Sequence, residues 1–418
     1  MAPDGRFVIA LNNLHRIIAK RYDAVGNELP PLLGVPLEVG NAFIVNSTSI
    51  FTSPVSRFKP SVAMDADGNF VIAWEDRTGQ DGNEFGVFAK RYDSFGNEVT
   101  PPSGVQGAGV GNEFQVNSFT GYRQMTPDVA MNADGDFIIT WWSFLQDGGF
   151  DAVMAKRYDS AGNELAPPPM TQGSGVGNEF QANTFKQQWA PTYPGGASHE
   201  PTVAMDASGN FVIVWDGDSS GQDCSSGGVF AKRYDASGIE LPPPLGTQGN
   251  GIGNEFQVNS RGVNSQGPHD VAMTPDGNFV ITWSGYAGQP TARVVAKAYN
   301  AAGEVVAPPT GSQGNGLCNE FEATTFTAQG FPAIAIDASE NFVIAWEDRT
   351  GQDGDFSGPG APSGIFARRY LASGAPTPVS PSTDSPVLIC PPDISVTAGA
   401  NGLATIPDLR SEVVISGV

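Results

Sequence analysis

Val62 to Glu75 reads VAMDADGNFVIAWE, and this stretch decides the fold. Two apolar runs flank a DADGN turn, in which Gly and Asn supply the positive backbone angles a tight turn needs. Phe70, Ile72 and Trp74 fall on one side of the second run and Val71 and Ala73 on the other. A strand apolar on both faces must be covered on both. The unit returns as VAMNADGDFIITWW from Val129, VAMDASGNFVIVWD from Val203, VAMTPDGNFVITWS from Val271 and IAIDASENFVIAWE from Ile334. A copy without its front half, PDGRFVIAL, spans Pro3 to Leu11.

Outward from this hairpin come a polar loop, DRTGQDGNEFG, and a third apolar run, VFAKRY at Val87 to Tyr92, closed by the turn DSFGNE. A long Pro/Gly stretch leads to a fourth, EFQVN at Glu113 to Asn117. There Phe114 and Val116 alternate with Gln115 and Asn117, as in a half-exposed outer strand. Leu11 stands where later copies carry Trp74, Trp141, Trp215, Trp283 and Trp346, at steps of 63, 67, 74, 68 and 63 residues. About six units of four antiparallel strands at this period predict an all-β chain folded as a β-propeller over residues 1–370. One blade cannot bury both its faces alone, so each copy carries the same apolar positions. A string of small β-sandwiches is the alternative. The first copy lacks its first strand and the sixth its fourth. A segment of residues 371–418 closing the ring and further blades upstream are therefore both open.

DADGNFVIAW at Asp65 to Trp74 and TPDGNFVITW at Thr274 to Trp283 resemble the strand–turn–strand signature of TolB-type and NHL-type propeller repeats. The resemblance implies a propeller and selects no function, since those families bind proteins, ligands or RNA, or hydrolyse lactones. The sialidase Asp-box is a more distant likeness, without its usual Ser. After Tyr370 the repeat gives way to a Pro/Ser/Thr linker over 371–386. Residues 387–418, with Cys390-Pro391-Pro392-Asp393-Ile394 and a later Ala-Thr-Ile run, resemble the opening of a hyalin-repeat (HYR) module. That likeness implies a partial immunoglobulin-like β segment and a secreted or cell-surface setting. In that family the early Cys pairs with a later one, so the likeness leaves Cys390 either free or orphaned by truncation.

The formal charge is -22, from 44 acidic and 22 basic residues, a field that repels phosphate backbones and argues against nucleic acid as a partner. No apolar run reaches the ~20 residues of a membrane-spanning helix. Cys224, Cys318 and Cys390 form no paired framework. Met1 opens inside a repeat, as expected of a module of a larger chain.

The strongest polar recurrence is the loop after the second strand: EDRTGQDGNEFG at Glu75, DGDSSGQDC at Asp216 and EDRTGQDGDFSG at Glu347. Close-set carboxylates beside a permissive Gly suit Ca²⁺, which takes six to eight oxygens. The candidate ligands are Asp76, Asp81, Asp216, Asp218, Asp223, Asp348 and Asp353. The reading preferred over calcium is an ordinary solvated loop whose Gly-Asp pairs make turns. The DADGN aspartates are expected to bond their own backbone. Lys90-Arg91, Lys156-Arg157, Lys232-Arg233 and Arg368-Arg369 are expected to pair with nearby carboxylates rather than to read a polyanion. The five tryptophans are expected to pack between blades. His199-Glu200 and His269-Asp270 are His–carboxylate pairs without any accompanying nucleophile motif. Chemistry that repeats with the blade and never concentrates predicts a non-enzymatic extracellular scaffold, binding protein or glycan at a propeller rim. A carbohydrate-active hydrolase or lyase is the alternative, and requires two carboxylates together in the axial funnel. A spacer in a larger adhesin requires no site at all.

Overall fold

The computed structural model describes residues 1–13, 16–30, 41–47, 60–149, 151–168, 177–184, 200–218, 227–244, 253–260, 267–285, 293–309, 313–314, 319–324, 330–348, 364–372, 387–388 and 415–416. The chain forms two compact units, Met1–Ala375 and Pro376–Val418. The first is a six-bladed β-propeller of small antiparallel sheets. In the second, the described residues are one strand pair, Val387–Leu388 with Ile415–Ser416. The rest of the hyalin-like segment lies outside the described residues, as do all three cysteines.

Blade 3 shows the plan. Its strands Gln124–Met131, Phe137–Phe144, Asp151–Tyr158 and Phe180–Gln181 pair in chain order. Blade 4 repeats it with Thr202–Met205, Phe211–Asp218, Gly227–Tyr234 and Phe256–Gln257. Blade 2 (Ser61–Met64, Phe70–Asp76, Gly86–Tyr92, Glu113–Gln115) gains the short strand Glu98–Val99. Blade 5 (His269–Met273, Phe279–Gly285, Arg293–Tyr299, Phe321–Glu322) gains Gln313–Gly314. Blade 1 has three described strands, Phe7–Asn13, Arg16–Tyr22 and Phe43–Ile44, and blade 6 has Ala333–Ile336, Phe342–Asp348 and Gly364–Tyr370. From blade 2 to blade 6 each first strand adjoins the next blade's first strand, so these strands are innermost.

The doubly apolar second strand makes the core a series of blade-on-blade layers. Val71, Ala73, Val87 and Ala89 of blade 2 pack on Phe137, Ile139, Trp141 and Met154 of blade 3. The opposite face of blade 2, with Phe70, Ile72 and Trp74, packs on Ile17, Ala19 and Phe43 of blade 1. From blade 2 onward, the tyrosine closing each third strand lies flat on its own blade's second-strand phenylalanine and takes the edge of the preceding blade's outer-strand phenylalanine. For Tyr158 the centroid distances are 4.6 Å to Phe137 and 5.5 Å to Phe114. The tryptophans are buried between blades, as their positions predict. The two end faces are different. On blade 6, Ile365 and Val343 are 76% and 39% exposed, whereas their blade 2 equivalents Val87 and Val71 are fully buried. On blade 1, Ile9 and Leu11 are 44% and 38% exposed.

The outer strand is not half-exposed: Asn117, Gln181 and Asn259 are buried. The reason is a set of polar staples. Asn117, Asn183 and Asn259 each accept the backbone N–H of Val87, Val153 and Val229 at 2.7 to 2.8 Å, capping the third strand. The glutamate of each GNEF motif accepts a backbone N–H from the preceding blade: Glu113 from Ser47, Glu179 from Ser118, Glu255 from Thr184 and Glu320 from Ser260. The AKRY lysines pair with carboxylates as expected, Lys90 with Glu98 and Lys156 with Glu164 at 2.9 Å and Lys232 with Glu240 at 3.0 Å.

The arginines reach forward to the next blade's DxxG turn. Arg91 donates to the Ser160 and Ala161 carbonyls, Arg157 to Ala236 at 3.1 Å, and Arg233 to Ala301 and Ala302 at 2.8 Å. The turn glycine lies against the guanidinium. A Cβ on Gly303, whose φ is +88°, would lie 2.0 Å from an Arg233 nitrogen. The DADGN turn is closed locally, with Asp65 accepting from the Asn69 backbone at 2.8 Å and side chain at 2.7 Å.

Candidate functional site

Polar and aromatic side chains gather where blades 2, 3 and 4 meet, at the end of the propeller that carries the loops after the second strands. Glu75 is the penultimate residue of Phe70–Asp76 and is 2% exposed. One of its oxygens accepts from the Arg77 Nε, the other from the Thr126 backbone N–H at 3.2 Å. Glu200, which leads into the first strand of blade 4, adds a like charge to its surroundings. Burial raises the Glu75 carboxyl above its ordinary range, against the pull of Arg77, and Glu200 adds to the rise. Thr126 sits at φ +50°, a strained conformation for a β-branched residue, beside a register shift between Thr140 and Trp142. The strain places its N–H on Glu75.

The same stretch of blade 3 carries the rest of the mouth. Arg123 and Arg77 both lie on the Phe85 ring, at 5.2 and 4.7 Å from its centroid. Tyr122, exposed and at φ +62°, packs edge-on against Phe144 at 6.0 Å, and Phe144 touches Trp142 at 5.9 Å. Deeper along the first strands, Asp128 accepts from the Ser61 hydroxyl at 2.6 Å and the Val203 N–H at 2.8 Å, joining blades 2, 3 and 4.

The proposed calcium ligands are spread over blades. Asp76 is buried, accepts from the Thr78 N–H and hydroxyl at 2.8 and 2.6 Å, and has its carboxyl raised by that burial. Asp81 accepts from the Asn83 N–H at 3.1 Å and the Asn117 side chain at 3.0 Å. Asp216 and Asp348 lie near the ends of their strands in blades 4 and 6, and Asp218 ends the strand of blade 4. Asp223 and Asp353 lie outside the described residues. Among the described residues no three Asp, Glu, His or Cys side chains converge as a metal site. The His269–Asp270 pair diverges: the ring lies 3.2 Å from the Val214 carbonyl, and Asp270 accepts from the Ile334 N–H at 2.9 Å. His199 is outside the described residues. Sequence reading missed the effect of the Glu200 charge on Glu75.

No protein-family model matches the chain, and no curated protein matches it. Among solved structures it is similar to an ulvan lyase, a polysaccharide lyase, at 9% identity and a TM-score of 0.51, covering 90% of this chain and 80% of that one. An α-L-arabinanase of Penicillium chrysogenum follows at 9% identity and 0.43, covering 75% and 78%. A levansucrase of B. megaterium aligns at 9% identity and 0.36, covering 81% and 85%. At 9% identity the likeness to the ulvan lyase bears on the fold alone.

Proposed function

We propose that the mouth over blades 2 to 4 is a carbohydrate-active centre. The observation that carries this reading is Glu75, buried at the end of its strand with its carboxyl raised by that burial and by the like charge of Glu200, with aromatic and guanidinium groups alongside. A carboxyl held above its ordinary range is suited to donate a proton to a glycosidic oxygen, and a second carboxylate to activate the incoming water. Tyr122 offers an apolar face for a sugar ring, and Arg77 and Arg123 offer cations for an acidic sugar. The test is a panel of neutral and uronate-containing polysaccharides incubated with the wild type, Glu75→Gln and Glu200→Gln. New reducing ends lost in both variants support the reading. Ultraviolet absorbance of an unsaturated product identifies a lyase rather than a hydrolase. Product release unchanged by either substitution, or none on any substrate, overturns it.

The recurrence of the acidic loop at Glu75 and Glu347 favours a second reading. In it the rim of a secreted or cell-surface module binds protein or glycan without chemistry, with Ca²⁺ ordering the loops. Saturable stabilisation by Ca²⁺, reversed by EDTA and accompanied by glycan binding without turnover, supports this second reading.

A further inference from the structure

At the opposite end of the blades, a crevice lies beside the DxxG turn at two of the junctions. Between blades 3 and 4 it is lined by Arg157, Tyr158, Gly209 and Ala236, and Arg157 nearly fills it, leaving about 40 Å³. Between blades 5 and 6 the arginine position holds Ala298, and the equivalent cavity opens to about 230 Å³. Other departures from the repeat gather on its walls. Glu340 stands at φ +64° where the other hairpins have Gly68, Gly135, Gly209 and Gly277. Its carboxylate accepts from the Asn278 side chain at 2.8 Å. Leu371 replaces the aspartate that Asp159 and Asp235 supply beside Arg91 and Arg157. The turn itself keeps its seat. The Ala372 N–H donates to Asn341 at 3.2 Å, as the Ala301 N–H does to Asn278 at 2.8 Å. The Ala372 carbonyl therefore stands where the Ser160, Ala236 and Ala301 carbonyls accept a guanidinium.

We propose that this crevice binds an alkylguanidinium ligand, supplying from outside the group that the other junctions carry in their own sequence. The planar head meets the Ala372 carbonyl and the Glu340 carboxylate, and a fork of N–H donors fits that pair better than an ammonium does. The stem lies on Pro308, Phe342 and Leu371, which line the cavity. The acidic protein draws the cation in. A non-glycine residue at the Glu340 position is strained, and such strain accumulates at binding sites.

The test is calorimetric titration of the full chain with agmatine, with n-butylamine as the ammonium control and a capped Gly-Arg-Gly peptide. Agmatine is expected to saturate one site and to bind at least tenfold more tightly than butylamine. A tighter peptide identifies a protein side chain as the source, and an equal or weaker one identifies a free small ligand. Ala298→Arg is expected to abolish binding while keeping or raising the Tm, and Glu340→Gly to weaken binding at least tenfold. Absence of saturation by agmatine and peptide alike, equal binding of butylamine, or unchanged binding in either variant overturns the proposal. Should Ala298→Arg fail to fold, Glu340→Gly alone decides.

Discussion

Gly303→Ala separates two costs that a positive-φ glycine can carry. The first is backbone: at φ +88° an alanine pays about 1–2 kcal/mol for the left-handed conformation. The second is tertiary. The new Cβ would lie 2.0 Å from an Arg233 nitrogen, so the guanidinium must leave two carbonyls it holds at 2.8 Å. Two such partly buried bonds are worth on the order of 2 kcal/mol together. Gly26 is the internal control, since its turn belongs to blade 1, its φ is +84°, and no atom lies within 4 Å of its added Cβ. Urea denaturation is expected to show Gly26→Ala losing about 1–2 kcal/mol and Gly303→Ala about 3–4. In an Arg233→Ala background, Gly303→Ala should cost only its backbone share, a coupling of about 2 kcal/mol in the double-mutant cycle. A Gly303→Ala loss equal to that of Gly26→Ala, or strictly additive substitutions, would refute the idea that arginine on glycine joins the blades.

Tyr158 buries its hydroxyl without a hydrogen-bond partner among the described residues, and burial pushes its ionisation far up. Tyr158→Phe is therefore expected to be neutral or to stabilise by up to ~1 kcal/mol, and a loss above that in denaturant melts would reveal a bonded hydroxyl. Ile365→Glu should change stability by less than ~0.5 kcal/mol, whereas Val87→Glu, the same position in blade 2, should cost ~3 kcal/mol or abolish folding. Because the folded Glu75 carboxyl keeps its proton to higher pH than the unfolded one, it makes stability fall as pH rises from the ordinary carboxylate range through the folded pKa. Glu75→Gln should flatten that slope in melts run at a series of pH values, and an unchanged slope would count against the raised carboxyl.

The hairpins, the tryptophan packing and the lysine pairs were legible because each depends on short-range periodicity repeated along the chain. The buried outer strand was not. Alternation of Phe114 and Val116 with Gln115 and Asn117 describes an exposed face equally well, and only the third strand's N–H explains why Asn117 turns inward. The arginines were read as partners of carboxylates, but they serve backbone carbonyls of the next blade, which have no sequence signature. The mouth escaped for a related reason. Glu75 belongs to a motif shared with blade 6, and the charge of Glu200 reaches it only through the way the blades are set about the axis. The acidic loops read as one recurring cation site; Asp81 accepts from Asn83 and Asn117 of its own blade, while one oxygen of Asp76 is buried without a hydrogen-bond partner among the described residues.

The exposed end faces also set an order of opening. Among the described residues the interior blades are covered on both faces, whereas blades 1 and 6 each leave apolar side chains exposed, so releasing either end blade breaks fewer contacts. In a nearly one-dimensional stack, stability is a sum of unit and interface terms, and a unit with one interface opens first. Amide hydrogen exchange should therefore proceed from the ends inward, fastest in Phe7–Asn13 and Gly364–Tyr370 and slowest in Phe137–Phe144 and Phe211–Asp218. The axial mouth draws its side chains from blades 2 to 4. It would thus keep its geometry while the outermost blades exchange, and an early protease cut in either one would leave it standing.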